Sequence, residues 1–254
     1  MSDYKIEVND SEDKHYINRI LIGTATTGLV RIEWVQGRYG QLIPMNWSQV
    51  QYMDFIPGYY PLRYLVADAQ NLIVQVALER DFEWLLLWEH DTIPEPDALM
   101  RMNKYMRDKQ VPVVSGLYYS RSRPSEPLIF KKRGTGSFTD FKRGDLVWCD
   151  GIPMGFSLIH CSILIEMAKD SETYLVKNKQ VKRIFETPRE YIKYENGDIN
   201  TVEGTSDLNW CSRVIEGKYF EKAGWKEYQD MEFPFLVDTA IYCRHINPDG
   251  EVFP

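Results

Sequence analysis

Trp84-Leu85-Leu86-Leu87-Trp88 narrows the fold more than any other stretch. It is a short, unbroken apolar run between charged flanks. Its length and aromatic content fit a strand covered on both faces in a parallel sheet rather than a helix. The run ends in acid: Glu89 and Asp91 flank His90 just past its carboxyl end, where open α/β sheets place their ligands. Pro94 and Pro96 are expected to stop the strand, and Asp97 to open a helix through Ala98, Leu99, Met102 and Met106. Carboxylates are hard oxygen donors that suit Mg²⁺ or Mn²⁺ together with substrate phosphate oxygens, so a diphosphate is the expected ligand. The alternative is a merely solvated acidic turn.

The chain has 254 residues, enough for one substantial α/β domain, expected over 19–254. Residues 1–18 are polar and charged and read as a flexible N-terminal arm. A net charge of -7 gives no broad electrostatic reason to bind nucleic acid or an anionic membrane. No apolar run approaches the ~18–20 residues of a transmembrane helix, and the N-terminus lacks the apolar core of a signal peptide. A soluble, cytoplasmic protein without a transmembrane segment is therefore expected. Cys149, Cys161, Cys211 and Cys243 are widely spaced with no CxxC pair, which predicts reduced, buried thiols rather than zinc or redox chemistry.

Arg19–Gly23 reads as a first strand, followed by a small-residue loop, Thr24-Ala25-Thr26-Thr27-Gly28. Such a loop lets backbone N–H groups approach a nucleotide, although an ordinary strand-to-helix turn has the same composition. Leu29, Val30, Trp34, Val35 and Leu42 recur at helical spacing, Gln49–Phe55 alternates as a second strand, and Ile56–Pro61 breaks it. Leu62–Arg80 carries Leu65, Val66, Ala69, Leu72, Ile73, Val76 and Ala77 on one face of a long amphipathic helix. Val111–Tyr119 is β-branched and aromatic, and a loop with Arg121 and Arg123 follows. A guanidinium fork suits a diphosphate, though a solvated basic loop is the plainer reading. Residues 131–146 read as a hairpin or mobile loop. Trp148–Leu158 leads into an apolar helix over Ile159–Met167, and 169–204 is a polar, tyrosine-rich lid or binding loop. Thr205 or Ser206 can cap the next helix, and Phe235–Cys243 forms a last strand running into Arg244-His245-Ile246.

The segment Leu85 to Leu99 resembles the DxD-bearing stretch of GT-A glycosyltransferases, especially family-2-like ones, and the resemblance runs in order from about residue 19 to 246. It implies an α/β GT-A fold: a Rossmann-like, mostly parallel nucleotide-binding sheet flanked by helices, with a nucleotide half over about 19–120 and an acceptor half over about 147–246. It implies a metal-dependent, hexosyltransferase-like enzyme that moves a sugar from a UDP- or GDP-sugar to a carbohydrate or other hydroxyl acceptor. Mn²⁺ or Mg²⁺ would be held by Glu89, Asp91 and His245. The nucleotide sugar would be contacted at Thr24, Ala25, Thr26, Asn71, Glu89, His90 and Arg121. Gly151-Ile152-Pro153-Met154-Gly155-Phe156 looks like the acceptor-side loop, and Asp207, in a segment resembling the family's Glu-Asp-x-x-Phe-Cys-x-Arg, would be the general base. Tyr191, Tyr194 and Trp210 are candidate sugar-stacking rings. The chain departs from the family pattern at Glu89, where Asp is usual, at Gln70, where an arginine is usual, and at Ser206, where an acid is usual. Those departures leave room for a nucleotidyltransferase or a catalytically degenerate carbohydrate-binding protein.

Overall fold

The computed structural model describes residues 19–44, 58–193 and 199–254. In chain order the elements are β1 (Ile20–Gly23), α1 (Ile32–Tyr39), β2 (Gly58–Tyr59), α2 (Val66–Glu79), β3 (Trp84–Trp88), β4 (Thr92–Pro94), α3 (Ala98–Asp108), β5 (Val113–Leu117) and β6 (Leu146–Cys149). They continue with β7 (Phe156–His160), α4 (Cys161–Asp170), β8 (Thr173–Val176), β9 (Lys179–Lys182), β10 (Arg189–Lys193), β11 (Ile199–Glu203), α5 (Ser206–Glu216), α6 (Tyr219–Lys222), α7 (Lys226–Gln229), β12 (Phe235–Ile246) and β13 (Val252–Phe253).

Continuous apolar runs can be satisfied only where both faces of a strand are covered, and β1, β3 and β5 are buried along their whole length. The main sheet has the order β13-β12-β5-β7-β3-β1-β2, with β4 and β6 pairing alongside β12. Pairing is parallel for β1 with β2, β1 with β3 and β5 with β12, while β7 lies antiparallel between β3 and β5. Strands β1, β2, β3, β5 and β12 therefore point the same way and deliver their carboxyl ends to one edge. This is a mixed α/β architecture with a mostly parallel central sheet.

Alternation along β3 divides the core. Leu85 and Leu87 face a layer with Ile73, Leu164, Trp210 and Phe235, and Trp84, Leu86 and Trp88 face the opposite layer with Trp34, Leu99, Met102 and Met106. All four cysteines are free and buried, and burial raises the Cys149 thiol to about 12, so none is a ready nucleophile.

Several expected boundaries shift. Helix α1 begins only at Ile32, which leaves Leu29 outside it and 85% exposed. Helix α2 begins at Val66 rather than Leu62, because Leu62 bridges to Thr26 and Arg63 has a φ of 59°. Leu65 and Val66 are consequently exposed instead of facing the core. Pro94 does not stop the chain: it pairs with Cys243 in β4 against β12, a flank where its missing N–H costs no ladder bond. Ile159 and His160 belong to β7, paired with Leu85 and Trp84, and α4 begins at Cys161 behind His160, whose ring accepts from Ser162 N. The 169–204 insertion builds two hairpins, and β8–β9 packs Val176 and Val181 onto Leu72. Residues 131–146 form a loop into β6, which pairs with β12. The expected arm and the Gln49–Phe55 strand lie outside the described residues, and β2 forms instead at Gly58–Tyr59, inside the expected break.

Strand β12 contains a bulge between Asp238 and Tyr242, where its register against β5 shifts. Gly116 makes room for it, since a Cβ there would lie 2.8 Å from Ile241 O. Among the described residues no helix is long and apolar enough to cross a membrane.

Candidate functional site

The turn after β3 is fixed by its backbone, which frees its side chains. Glu89 N donates to Gly155 O at 2.8 Å, and Glu89 O accepts from Trp34 Nε1 at 2.8 Å. Asp91 O accepts from Ile246 N at 2.8 Å, which brings the end of β12 against the acidic turn. Side by side there, Asp91 Oδ2 accepts from Arg121 at 2.9 Å and lies 3.4 Å from His245 Nε2. The imidazole is oriented by Nδ1, 2.9 Å from Tyr119 O. A carbonyl can only accept, so Nδ1 carries hydrogen and, in a neutral ring, Nε2 presents a lone pair. Nε2 is thereby turned toward a carboxylate oxygen. Asp91 Oδ1 and His245 Nε2 are both buried and without a hydrogen-bond partner.

Asp207 comes to the same edge from the first turn of α5, whose N-cap Thr205 accepts from Leu208 N. Its Oδ2 accepts from Met154 N at 3.1 Å, and its Oδ1 accepts from Gln70 Nε2 at 3.3 Å and Ser206 Oγ at 3.2 Å. Burial raises its pKa, and these three donors partly offset the shift. Glu89 is pushed well above the usual carboxylate range by burial and then by the charges of Asp91 and Asp207. For Asp91 burial acts upward, but His245, Arg121 and His90 outweigh it and hold the carboxyl below its ordinary value. The edge thus holds three mutually interacting carboxyls, of which Asp91 is the one paired with a guanidinium, that of Arg121.

The remaining expected contacts divide. Thr24 N donates to Tyr59 O at 3.0 Å, and its buried Oγ1 has no partner. Ala25 O lies 3.0 Å from His90 Nδ1, joining the small-residue loop to the acidic turn. Thr26 Oγ1 accepts from Gly28 N. Asn71 stands elsewhere: its amide donates to Tyr174 Oη and Phe185 O and accepts from Ile184 N and Phe185 N, so every polar position is used in tying the insertion to α2. Trp210 is fully buried and stacked on Phe185, so it cannot present a face to a sugar. Tyr194 and the Tyr191 side chain lie outside what is described. Arg123 pairs with Glu251 and not with the acidic turn.

Among the described residues no group of three His, Cys, Asp and Glu side chains closes into a ready-made metal shell. Asp91 and His245 are the pair brought together, and Glu89 stands by as a neighbouring carboxyl. A divalent cation that keeps water and takes substrate oxygens needs only one or two protein ligands of this kind, so these residues fit one. Beside them opens a cleft of about 540 Å³ lined by Leu29, Val30, Ile32, His90, Asp91 and Arg121, among others.

Tyr118, Gln70 and the Met154 backbone N–H also belong to this edge; Met154 was expected in an acceptor-side loop and Gln70 only as a departure from the family pattern, and neither was expected to hold Asp207. Burial, then Glu89 and Asp207, raise the Tyr118 phenol well above its ordinary value, so it stays protonated. An aromatic pair ending a strand was the available signal.

No protein-family model and no curated protein matches the chain. The structure is similar to the crystal structure of A197 from STIV, with a TM-score of 0.53 and 14% identity over 92% of this chain and 93% of that one, a likeness in fold alone. It is also similar to S. aureus TarS 1-349 in complex with UDP, with a TM-score of 0.38, 10% identity and coverage of 61% of this chain and 50% of that one. A third likeness is to a glycosyltransferase involved in the glycosylation of the major capsid of PBCV-1, with a TM-score of 0.32, 13% identity and coverage of 58% and 62%. The latter two are too loose to carry an argument for this chain.

Proposed function

We propose that the chain is a GT-A glycosyltransferase that moves a sugar from a nucleotide-diphosphate sugar to an acceptor hydroxyl with the help of Mn²⁺ or Mg²⁺. The observation that carries this reading is the facing pair of a half-buried Asp91 and a buried His245: His245 Nε2 lies 3.4 Å from Asp91 Oδ2 without a hydrogen bond, and Asp91 Oδ1 beside it is unpartnered as well. An acceptor nitrogen turned toward a carboxylate is unfavourable unless a proton or a cation lies between them. When bound, the cation would supply positive charge against the diphosphate leaving group. Asp91 and His245 would hold it, with Glu89 joining them directly or through water.

The chain's own groups divide the rest of the work. Arg121, already at Asp91, can turn its guanidinium fork to a phosphate of the donor. Thr24 Oγ1, buried and unpartnered, and the backbone of Ala25 and Thr26 face the nucleotide from the end of β1. Asp207 accepts the proton of the acceptor hydroxyl as that oxygen bonds to the anomeric carbon, while the electron pair of the old glycosidic bond leaves with the diphosphate. Its raised pKa brings it nearer the working pH, which favours a general base. The apolar wall of the cleft, with Leu29, Val30 and Ile32, suits the flat face of a base.

The test is a panel of UDP- and GDP-sugars with and without Mn²⁺, read by thermal shift and by release of nucleoside diphosphate. A donor that raises Tm only with the metal and is turned over supports the reading. Pyrophosphate released from a nucleoside triphosphate, with no donor-sugar turnover, would replace it with nucleotidyl transfer.

A further inference from the structure

The two halves of the site meet on one residue. Gly155 O accepts the Glu89 N–H at 2.8 Å, Gly155 N donates to the Tyr118 hydroxyl at 2.6 Å, and the preceding Met154 N donates to Asp207 Oδ2 at 3.1 Å. Met154–Gly155 is therefore a strap that spans from the acidic turn to the first turn of α5. Among the described residues its side-chain latch on the Gly155 amide is Tyr118. That ring is 3% exposed and lies edge-on to the imidazole of His245, with centroids 5.6 Å apart. Gly155 is required here by close approach, since a Cβ would lie 2.4 Å from Tyr118 Oη and 2.9 Å from Thr92 Oγ1. Thr92 Oγ1, buried beside it, makes no hydrogen bond to the Gly155 amide.

We propose that Tyr118 is the positioning residue that sets the spacing between the cation side of the site, Glu89, Asp91 and His245, and the base side, Asp207. It does so by holding the Gly155 amide with its hydroxyl and the His245 ring with its edge. This inference rests on the glycosyltransferase reading. Tyr118 touches no reacting atom. Its hydroxyl fixes the strap that carries the Met154 N–H to Asp207, and a loosened strap lets the carboxylate turn away from the acceptor while the donor still binds.

The experiment compares native protein, Tyr118→Phe, Gly155→Ala and the double variant. Tyr118→Phe keeps the ring against His245 and removes only the latch. We expect kcat for transfer to fall about 10- to 100-fold, donor KM to stay unchanged, and amide exchange to accelerate at Gly155 and Met154 with the rest of the sheet protected as before. Gly155→Ala acts through the same strap, so the double variant loses no more than the worse single one. Multiplicative losses, a rise in donor KM with constant kcat, or native-like turnover in Tyr118→Phe would overturn the inference. Should Gly155→Ala fail to fold, Tyr118→Phe decides alone. Native protein that transfers while Asp91→Ala does not, with Tyr118→Phe as fast as native, sinks this inference and leaves the function standing. Native protein inert toward every donor sinks both.

Discussion

The two ends of β3 carry similar groups to opposite fates. At its start, Glu83 is paired with Lys109 at 2.6 Å and lies 3.7 Å from His160, whose other nitrogen meets Ser162 Oγ at 2.7 Å. The His160 ring is packed edge-on between Trp84 and Trp225, and the Trp225 indole N–H goes to the same serine. Past its finish, Asp91 and His245 repeat the acid-and-imidazole pairing but leave a carboxylate oxygen and a ring nitrogen unpartnered, with Thr92 Oγ1 orphaned beside them. Buried polar groups are ordinarily satisfied, and leaving one unmade costs about 1–3 kcal/mol. The first end leaves one indole N–H, that of Trp84, without a partner inside a packed aromatic cluster, whereas the other gathers an unpartnered carboxylate oxygen, ring nitrogen and hydroxyl around a single turn.

The comparison can be broken or sharpened by substitution. Asp91→Ala should abolish Mn²⁺-dependent donor turnover with the fold retained by circular dichroism; full activity would erase the distinction between the ends. Asp207→Asn keeps an acceptor for the Met154 N–H and should lower kcat by about 10²- to 10⁴-fold. The acid limb of the native pH–rate profile, lying above the ordinary Asp value of 3.8 because burial raises this group, should vanish in that variant. Trp84→Ala, at the packed aromatic end, should cost about 3–5 kcal/mol of unfolding free energy. Denaturant titration checks this, with activity per folded molecule unchanged.

Smaller effects separate the acids by sign. Glu89 has a folded pKa above its unfolded one, so the stability tied to its neutral form is complete below the ordinary value of 4.5 and is lost as pH rises through the folded pKa. Glu89→Gln should therefore raise Tm at neutral pH, and the gain should vanish in acid. Asp91 runs the other way: its contribution is present above the ordinary value of 3.8 and disappears as pH falls through its depressed folded pKa. Least of all, Glu83→Gln should change stability by no more than about 1 kcal/mol, since Lys109 is substantially exposed and its pairing is screened.

Much of the frame is legible in the chain itself. The buried runs of β1, β3 and β5, the amphipathic α3 and the Thr205 cap are local in origin, and local patterns predict them. Asp91 and His245 also meet at the edge where parallel strands end, while Asp207 is brought there by the first turn of α5 through Met154 N and Gln70. Missed features depend on distant partners. Pro94 extends into β4 only because β12 lies beside it, and Ile159 joins a strand because β3 and β5 leave a slot for β7. Asn71 sits where a nucleotide contact was expected, yet Ile184 and Phe185 claim its amide from more than a hundred residues away. Trp210 reads as an aromatic platform until Phe185 covers it. The latch between Tyr118 and Gly155 leaves no mark beyond an aromatic residue and a glycine far apart in the chain.

The bulge in β12 has a consequence for how such a chain tolerates insertions and deletions. His245 reaches Asp91 only because the extra residues between Asp238 and Tyr242 carry the strand from the main sheet onto β4 in the right phase. Strand side chains alternate with a period of two, so a single codon gained or lost in that short interval would turn the imidazole to the far face. Length in this stretch is therefore as restrictive as residue identity, and drift there would part His245 from Asp91 while the core stayed whole.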